Sequence, residues 1–379
     1  MICRSVSLKN FRNIQSADVS FCDGINLVLG NNAQGKTNLL ESIALMAIGK
    51  SFRGAKEGEL IRFGAPSASV TLRYVDDVRE QEIALSLDHT KRRVWTQNQN
   101  KVAKVADMVG RFRVVIFMPE HLSIIKSGPE MRRSFLDIAL CQMRPRYLYL
   151  LQRYQGILKE RNKLLKQAKD GGLTLSDIGA MLDVWTEQLA EHAEMISRYR
   201  ADFVKKMNAA AITVFEEMTG GREVPAFLYK GTLGYDEGAV PEGARALIFD
   251  KLRASYTAEL AVGSTLHGCH RDDIEILLNG KSARSFASQG QQRSLSLAMK
   301  LAEGEISRQE HGDYPVFLFD DVLSELDRSR REYLISKIRA RQVILTGCEN
   351  VDAFRQLSGQ GSCEHIVIGV EGGNFYSEV

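Results

Sequence analysis

The first 120 or so residues alternate between apolar and polar positions with a period close to two, which is the spacing of β-strands. Strands are predicted at residues 2–8, 19–21, 25–29, 70–74, 82–87, 93–96 and 114–118. The run at 25–29 leads into a glycine, and the run at 114–118 is of the buried type and is ended by Pro119. The strands between them are separated by polar turns, as in a meander. This part of the chain predicts an α/β opening with an antiparallel insert.

Between about residues 127 and 219 the apolar period changes to three and four, which predicts helices. One seam consists of Leu182, Trp185, Leu189, His192, Ile196, Tyr199 and Phe203. A candidate partner seam consists of Leu151, Tyr154, Leu158 and Leu165. Because Asp170, Gly171 and Gly172 lie between the two, the pattern is typical of an antiparallel helical hairpin. On this interpretation His192 is a core histidine.

Strand and helix patterns alternate again from about residue 264. Strands are predicted at 274–278, 316–319, 343–345 and 365–370, and helices at 294–308 and 328–339. A helical block between two α/β segments indicates one α/β domain interrupted by an inserted helical arm domain. The predicted parts are 1–125 and 263–379 for the α/β domain and 126–262 for the arm.

The segment after the strand at 25–29 matches the pattern G-x-x-x-x-G-K-[ST]. It consists of Gly30, Asn31, Asn32, Ala33, Gln34, Gly35, Lys36 and Thr37, followed by apolar residues at helical spacing. Such a loop points backbone N–H groups at phosphates beside the positive end of a helix. Lys36 would reach the β and γ phosphates of ATP, and the Thr37 hydroxyl would coordinate Mg²⁺. The alternative, a glycine turn without a ligand, is disfavoured by the flanking strand and helix.

Two carboxylates, Asp320 and Asp321, end the apolar run at 316–319. A Mg²⁺-nucleotide site needs such groups from a neighbouring strand. Asp320 would hold the metal through water, and Asp321 would polarise the attacking water as a general base. Acidic pairs after apolar runs are common, so this interpretation depends on the loop at 30–37.

A second anion site is indicated at residues 288–292, where Ser-Gln-Gly-Gln-Gln precedes an amphipathic helix. Ser288 is a candidate helix cap that could contact a γ-phosphate, and Gly290 and Gln291 are further candidate nucleotide contacts. The alternative is a simple capped helix. Asp327, just beyond the acidic pair, is a possible cap for the next helix.

The order of these segments resembles that of ABC-type ATPases. Residues 30–37, 288–292, 320–321 and 324–327 are similar to the Walker A, signature, Walker B and D-loop segments of that class. The resemblance implies that the signature serine of one subunit covers the ATP held by the Walker A loop of another. ATP would then join two heads.

The resemblance narrows to the RecF family of recombination mediators. The similar stretches are residues 8–13, 24–27, 34–41, 49–53, 118–122, 132–137, 270–273, 288–293 and 320–327. Three positions depart from the RecF pattern: Ala33 stands in place of a usual glycine, Cys269 in place of a common proline, and Thr346-Gly347-Cys348 where ABC ATPases often have a switch histidine. The small Ala33 should leave the phosphate loop intact. Without the histidine we expect slow hydrolysis, with other groups sensing the γ-phosphate.

The formal net charge of the chain is only +3, but its distribution is uneven. Residues 126–170 carry eleven basic and four acidic side chains, with Arg132 and Arg133 among the basic ones. Smaller basic groups are Lys91-Arg92-Arg93 beside Trp95, and Lys50, Arg53 and Lys56. Such clusters are typical of surfaces that bind a phosphate backbone, although a solvated helix face is the alternative. The RecF resemblance favours DNA as the partner.

The same resemblance implies an ATP-dependent homodimer, a slow DNA-dependent ATPase, and help from partner proteins of the RecO and RecR type. It further implies binding to single-stranded or gapped DNA at sites of damage or replication, support of RecA loading, and SOS induction. Two rival functions remain: a P-loop enzyme such as a kinase, which would complete its site within one chain, and the motor subunit of a membrane transporter. The long basic insertion disfavours the transporter.

The composition adds limits on location and metals. No run of about 18 apolar residues is present, and the six cysteines (Cys3, Cys22, Cys141, Cys269, Cys348 and Cys363) form no C-x-x-C pair. We therefore expect a soluble, cytoplasmic protein without a membrane partner or a structural metal.

Overall fold

The computed structural model describes residues 1–90, 93–232, 240–339, 341–347 and 365–378. Lys91, Arg92, Cys348 and Cys363 lie outside these ranges. The chain divides into two compact units, one formed by Met1–Ser123 with Gln289–Val379 and the other by Ile124–Ser288. The inserted unit therefore begins close to the predicted boundary but continues to Ser288, well beyond residue 262.

The first unit contains two six-stranded sheets and four helices among its described residues. Its elements are β1 (Ile2–Phe11), β2 (Ile14–Ser20), β3 (Ile25–Leu29), α1 (Lys36–Ile48), α2 (Glu57–Leu60), β4 (Ser67–Val75), β5 (Glu80–Asp88), β6 (Arg93–Gln97), β7 (Asn100–Val102), β8 (Val114–Phe117), α9 (Gln289–His311), β12 (Val316–Asp320), α10 (Arg328–Ile338), β13 (Val343–Gly347), β14 (His365–Glu371) and β15 (Asn374–Glu378). Each strand predicted for this unit overlaps an observed one, although β2 begins five residues before the predicted run at 19–21. Strands β7 and β15 were not predicted.

One sheet of this unit has the strand order β15-β14-β3-β13-β12-β8, in which all neighbours are parallel except β14 and β15. Its central strands are continuous apolar runs because both faces are covered. The register pairs Leu29 of β3 with Gly347 of β13, and Thr346 of β13 with Asp320 of β12. The carboxyl ends of these three strands therefore lie at the same edge of the sheet.

The other sheet is antiparallel, with the order β2-β1-β4-β5-β6-β7. Helix α1 packs against β1, β4 and β5 of this sheet and against β8, β12 and β13 of the parallel sheet. Nearly every side chain of α1 is consequently buried, including the charged Lys36 and Glu41. The helix that follows the phosphate loop is thus held firmly between two sheets.

The second unit is built on long helices. Its elements are α3 (Pro129–Met143), α4 (Pro145–Asp170), α5 (Leu175–Thr219), β9 (Pro225–Lys230), α6 (Ala244–Ala254), α7 (Tyr256–Val262), β10 (Asp273–Leu278), β11 (Lys281–Ser282) and α8 (Ala283–Phe286). Helices α4 and α5 pack together as the predicted hairpin. Strand β10 pairs with β9 and β11 in a small sheet of its own, which is why the predicted boundary at 262 was wrong. The pattern revealed a strand at 274–278 but not its partner.

The buried seam of α5 differs from the predicted one at every second position. Leu182, Leu189, Ile196 and Phe203 are buried as expected, but Thr186, Ala193 and Arg200 alternate with them. Trp185, His192 and Tyr199 are only half-buried, so His192 is not a core histidine. The polar members are stabilised by partners: Arg200 Nη2 lies 2.8 Å from Asp137 Oδ1, and Thr186 Oγ1 accepts hydrogen bonds from Arg161 and Tyr256.

Candidate nucleotide site

The loop at residues 30–35 requires glycine at its two ends. A Cβ atom on Gly30 would lie 2.4 Å from the carbonyl oxygen of Val370, so only glycine fits beside β14. Gly35 has φ +114° at the N-cap of α1, a conformation that other residues rarely adopt. The chain can therefore curl tightly out of β3 and enter α1 with its first N–H groups open toward the loop.

Groups from two neighbouring turns, one side chain and one backbone N–H, hold the middle of this loop. Asn13 Nδ2 donates to the carbonyl oxygen of Ala33 at 3.1 Å, and the Gly372 N–H donates to Gln34 Oε1 at 2.5 Å. Ala33 itself has φ +67°, in the left-handed region. An L-residue there costs about 1–2 kcal/mol relative to its ordinary conformation. The departure from the usual glycine therefore keeps the loop but adds strain to it.

Lys36 is the first residue of α1 and is only 7% exposed. Its ammonium donates to the carbonyl oxygens of Gly30 and Asn31, the latter at 2.9 Å. A buried cation thus lies inside the curl of the loop at the positive end of a helix. This arrangement suits a polyphosphate, because both the ammonium and the helix end favour an anion.

Hydroxyl groups from two elements converge on Asp320 at the end of β12. Thr37 Oγ1 of α1 lies 2.9 Å from both carboxylate oxygens, and Thr346 Oγ1 of β13 donates to Oδ1 at 2.7 Å. Hydroxyl and carboxylate oxygens are the hard ligands that Mg²⁺ prefers. Thr37 and Asp320 therefore fit the metal-binding role predicted for them, and Thr346 orients the carboxylate.

Asp321 leaves the strand in a left-handed conformation with φ +50°. Its N–H donates to Thr346 Oγ1 at 3.0 Å, so one threonine positions both members of the acidic pair. Burial raises the pKa of Asp321 above its usual value of 3.8, with Asp320 and Glu325 acting in the same direction and Ser324 and Lys36 opposing them. A carboxylate with a raised pKa is a better proton acceptor, as the proposed general base requires.

The predicted second anion site is the start of α9, which begins at Gln289. Two arginines join its first turns to the segment after the acidic pair: Arg293 Nη2 lies 2.9 Å from Glu325 Oε2, and Arg330 Nε donates to Ser294 Oγ at 2.7 Å. A Cβ on Gly290 would lie 3.1 Å from the Arg330 guanidinium. Ser288 is exposed and is the last residue of the inserted unit, while Gln291 lies in the first turn of α9.

The segment at 322–330 is ordered by the predicted cap. The Asp327 carboxylate accepts a hydrogen bond from the Arg330 N–H at 3.0 Å and begins α10, which confirms that prediction. The groups around the phosphate loop and those around α9 both act on Asp321, through Lys36 on one side and Glu325 on the other. Asp321 therefore lies within electrostatic reach of both Lys36 and Glu325.

Three supporting residues escaped the sequence reasoning. The sequence pattern marks Thr346 only as a position where ABC ATPases often have a histidine. Its place at the end of a predicted buried strand, like that of Asp320, could have indicated that the two side chains lie close together. Arg12 makes a bidentate ion pair, at 2.8 and 2.9 Å, with the fully buried Glu41 of α1. Ser51 Oγ donates to the same carboxylate at 2.5 Å. These contacts join the turn after β1 and the segment after α1 to a single carboxylate within the helix.

Several cations of the basic stretch at 126–170 are structural. Arg132 is 3% exposed and makes a bidentate ion pair with Asp273, at 2.6 and 2.9 Å. Arg133 donates to the carbonyl oxygen of Asp272 at 2.8 Å, and the fully buried Arg161 pairs with Glu259 at 2.6 Å. Arg132 and Arg161 are therefore held in ion pairs within the fold, so a count of charges along residues 126–170 overstates the basic surface. The role of this stretch in DNA binding stays a prediction.

The turn made uncertain by Cys269 is a short 3₁₀ helix at Cys269–Arg271. Cys269 is 1% exposed, and burial raises the pKa of its thiol to about 12. Among the described residues, no helix is long and apolar enough to cross a membrane, and no cluster of three potential metal ligands from His, Cys, Asp or Glu occurs.

Comparison with known proteins first defines the class. Residues 2–353 match the family model described as the RecF/RecN/SMC N terminal domain. Together with the parallel sheet, the loop at 30–37 and the inserted hairpin, this match makes the chain an ABC-type P-loop ATPase head with a helical arm, as predicted.

The particular family follows from closer relatives. The DNA replication and repair protein RecF of Thermoanaerobacter sp. (strain X514) is 36% identical over 346 residues, which cover 91% of this chain and 94% of the relative. Two solved structures, described as the recombination mediator protein RecF-ATPrS and RecF-ATP in the RecFOR pathway, superpose with TM-scores of 0.90 and 0.89. Both are 33% identical, covering 100% of this chain and 98% of theirs. The chain belongs to the RecF family.

Proposed function

We propose that the chain binds ATP with Mg²⁺ and uses the bound nucleotide to join two copies on DNA during replication and recombinational repair. The observation that carries this proposal is the convergence of Lys36, Thr37 and Asp320 at one edge of the parallel sheet. The ATP-bound RecF structures, which have nearly the same fold, support the nucleotide.

In this site the loop N–H groups and Lys36 bind the phosphates. Thr37 and Asp320 would hold Mg²⁺, and the metal would neutralise charge on the phosphate oxygens. Asp321 accepts the proton of the attacking water, and Thr346 holds the Asp320 carboxylate and the backbone of Asp321 in place. With a threonine and no histidine at position 346, we expect hydrolysis to be slow and the nucleotide to act mainly as a binding signal.

The second half of the site would come from another copy. Ser288, Gly290 and Gln291 would cover the γ-phosphate held by the loop of a partner chain. Arg293 and Arg330 support this role because they connect the start of α9 to the segment beside Asp321. The γ-phosphate of ATP bound by the partner chain would then lie at the start of α9. Through Arg293 and Arg330 it would be connected to the segment beside Asp321, the general base of the chain that contains this α9. The chain is related to recombination mediators of the RecFOR pathway. We therefore propose that it acts with partners of the RecO and RecR type and supports RecA loading and SOS induction.

The test is the molecular mass in solution with and without ATP, measured by light scattering for the unaltered chain and for Ser288→Arg. We expect ATP-dependent dimers for the unaltered chain and monomers for the variant, which should still bind ATP. Ser176→Arg, at an exposed serine of α5, makes the same change of charge and size elsewhere and should dimerise normally.

A kinase-like enzyme would give a different result. Its site would be complete within one chain, so both the unaltered protein and Ser288→Arg would remain monomeric with ATP bound. That outcome would refute the two-copy site while leaving nucleotide binding intact.

A further inference from the structure

One helix of the inserted unit carries a continuous basic row. Along α4, seven residues succeed each other at intervals of three or four: Arg146, Tyr149, Arg153, Gly156, Lys159, Lys163 and Lys166. All seven are exposed, in contrast to Arg132 and Arg161 of the same stretch. Residues three and four apart are neighbours on a helix surface, so the row is unbroken. At about 1.5 Å per residue it extends over about 30 Å.

The row is ordered in advance of any binding. The Arg153 guanidinium lies over the Tyr149 ring, 5.3 Å from its centroid, and Arg153 Nε donates to the Tyr149 hydroxyl at 3.1 Å. At the centre of the row, Gly156 leaves the backbone uncovered, with no atom within 4 Å of an added Cβ. The opposite side of α4 is buried, with Tyr147 and Leu165 fully enclosed.

The neighbouring helix has the opposite charge. Residues 175–197 of α5 contain five acidic side chains and no basic one: Asp177, Asp183, Glu187, Glu191 and Glu194. Arginines of α6 engage two of them: Arg245 Nε donates to Glu187 at 2.8 Å, and Arg253 lies 3.5 Å from Asp183. The exposed face of α4 therefore supplies positive charge, whereas this half of α5 supplies no basic side chain, so a polyanion is attracted to the α4 side of the hairpin.

We propose that the basic row of α4 contacts the sugar–phosphate backbone of duplex DNA. This inference rests on the proposed function, which gives DNA as the partner, and it assigns the surface of the chain that binds the DNA. The span of about 30 Å is close to one turn of duplex DNA, about 34 Å, so a straight row of cations can meet the backbone where it crosses that face of the duplex. Tyr149 is the one aromatic residue of the row, whereas single-strand surfaces stack successive bases on several. The row therefore recognises the charge and shape of the DNA backbone and not the base sequence.

The test compares DNA binding by the unaltered chain and by Lys159→Gln/Lys163→Gln/Lys166→Gln, with ATP present, as a function of salt. Each lost phosphate contact should lower the slope of log affinity against log salt by about 0.9, or by about 2.7 for the triple variant. We expect an affinity loss of about tenfold or more for duplex DNA of any sequence. The single variant Lys163→Gln should lower the slope by about 0.9.

The matched control is Lys101→Gln/Lys104→Gln/Lys205→Gln, which removes three exposed lysines elsewhere. Its salt slope should remain that of the unaltered chain. An equal loss in both triple variants, or none in the α4 variant, would overturn the assignment. A loss for single-stranded DNA with unchanged duplex binding would overturn the choice of duplex.

The failure of this inference can be separated from failure of the proposed function. If the unaltered chain binds DNA and the α4 variant binds it equally well, the row is excluded and the DNA-binding function stands. If the unaltered chain binds no DNA, both fail. ATP-dependent dimerisation of the α4 variant should remain normal in either case, since the row is not part of the nucleotide site.

Discussion

Replacing Thr346 by valine should separate nucleotide binding from hydrolysis. Thr346 is 1% exposed, and valine has nearly its shape, so the change removes a hydroxyl without creating a cavity. That hydroxyl donates to Asp320 at 2.7 Å and accepts from the Asp321 N–H at 3.0 Å. A hydrogen bond to a charged group contributes about 1.5–3 kcal/mol, and a buried N–H without a partner costs about 1–3 kcal/mol. The Asp320 carboxylate and the backbone of Asp321 are therefore loosened together.

The consequence should be kinetic. If the loss of these hydrogen bonds raises the free energy of the transition state by about 1.4–2.8 kcal/mol, the hydrolysis rate falls about 10- to 100-fold. ATP affinity should change much less, because the loop at 30–37 and Lys36 remain in place. The assay is single-turnover hydrolysis together with equilibrium ATP binding. Thr346→Ser keeps the hydroxyl and should stay within about threefold of the unaltered rate. Hydrolysis at the unaltered rate by Thr346→Val would refute the positioning role.

Two further substitutions test the site. Asp321→Asn should trap the ATP-bound dimer by removing the general base; unchanged hydrolysis would exclude that role. Because burial raises the pKa of Asp321, the folded chain binds this proton more tightly than the unfolded chain and loses stability as pH rises through the raised pKa. The Asn variant should lack this contribution in urea unfolding at several pH values. Ala33→Gly should relieve about 1–2 kcal/mol of strain at φ +67° against about 0.4–1 kcal/mol of added unfolded-state entropy. A net gain of about 0.5–1 kcal/mol should appear as a higher urea midpoint, while the exposed Ala103→Gly should show none.

Much of the fold followed from local patterns. The parallel strands β3, β12 and β13 were predicted because strands buried on both faces are short apolar runs. The phosphate loop was predicted because its backbone requires glycine at defined positions, as the contact of Gly30 with Val370 illustrates. Both features depend on residues that are close in sequence.

The errors share a different cause. The buried seam of α5 was misassigned because spacings of three and four residues fit two adjacent stripes of the helix. The stripe that is actually buried contains the polar residues Thr186 and Arg200. Their burial is possible only because distant residues such as Asp137 pair with them. The end of the inserted unit was misplaced because the pairing of β10 with β9 joins segments about 45 residues apart.

The sequence by itself determined that this chain has a phosphate loop, an acidic pair beside it and a basic insertion, because each is a local arrangement of residue types. The tertiary structure decided which of these residues act together. The register of β12 and β13 brings Thr346 to Asp320 and Asp321, and burial removes Arg132 and Arg161 from the charged surface while leaving Lys163 on it. Charge can be counted along a sequence, but whether a charge faces water or an ion-pair partner depends on contacts between residues far apart in the chain.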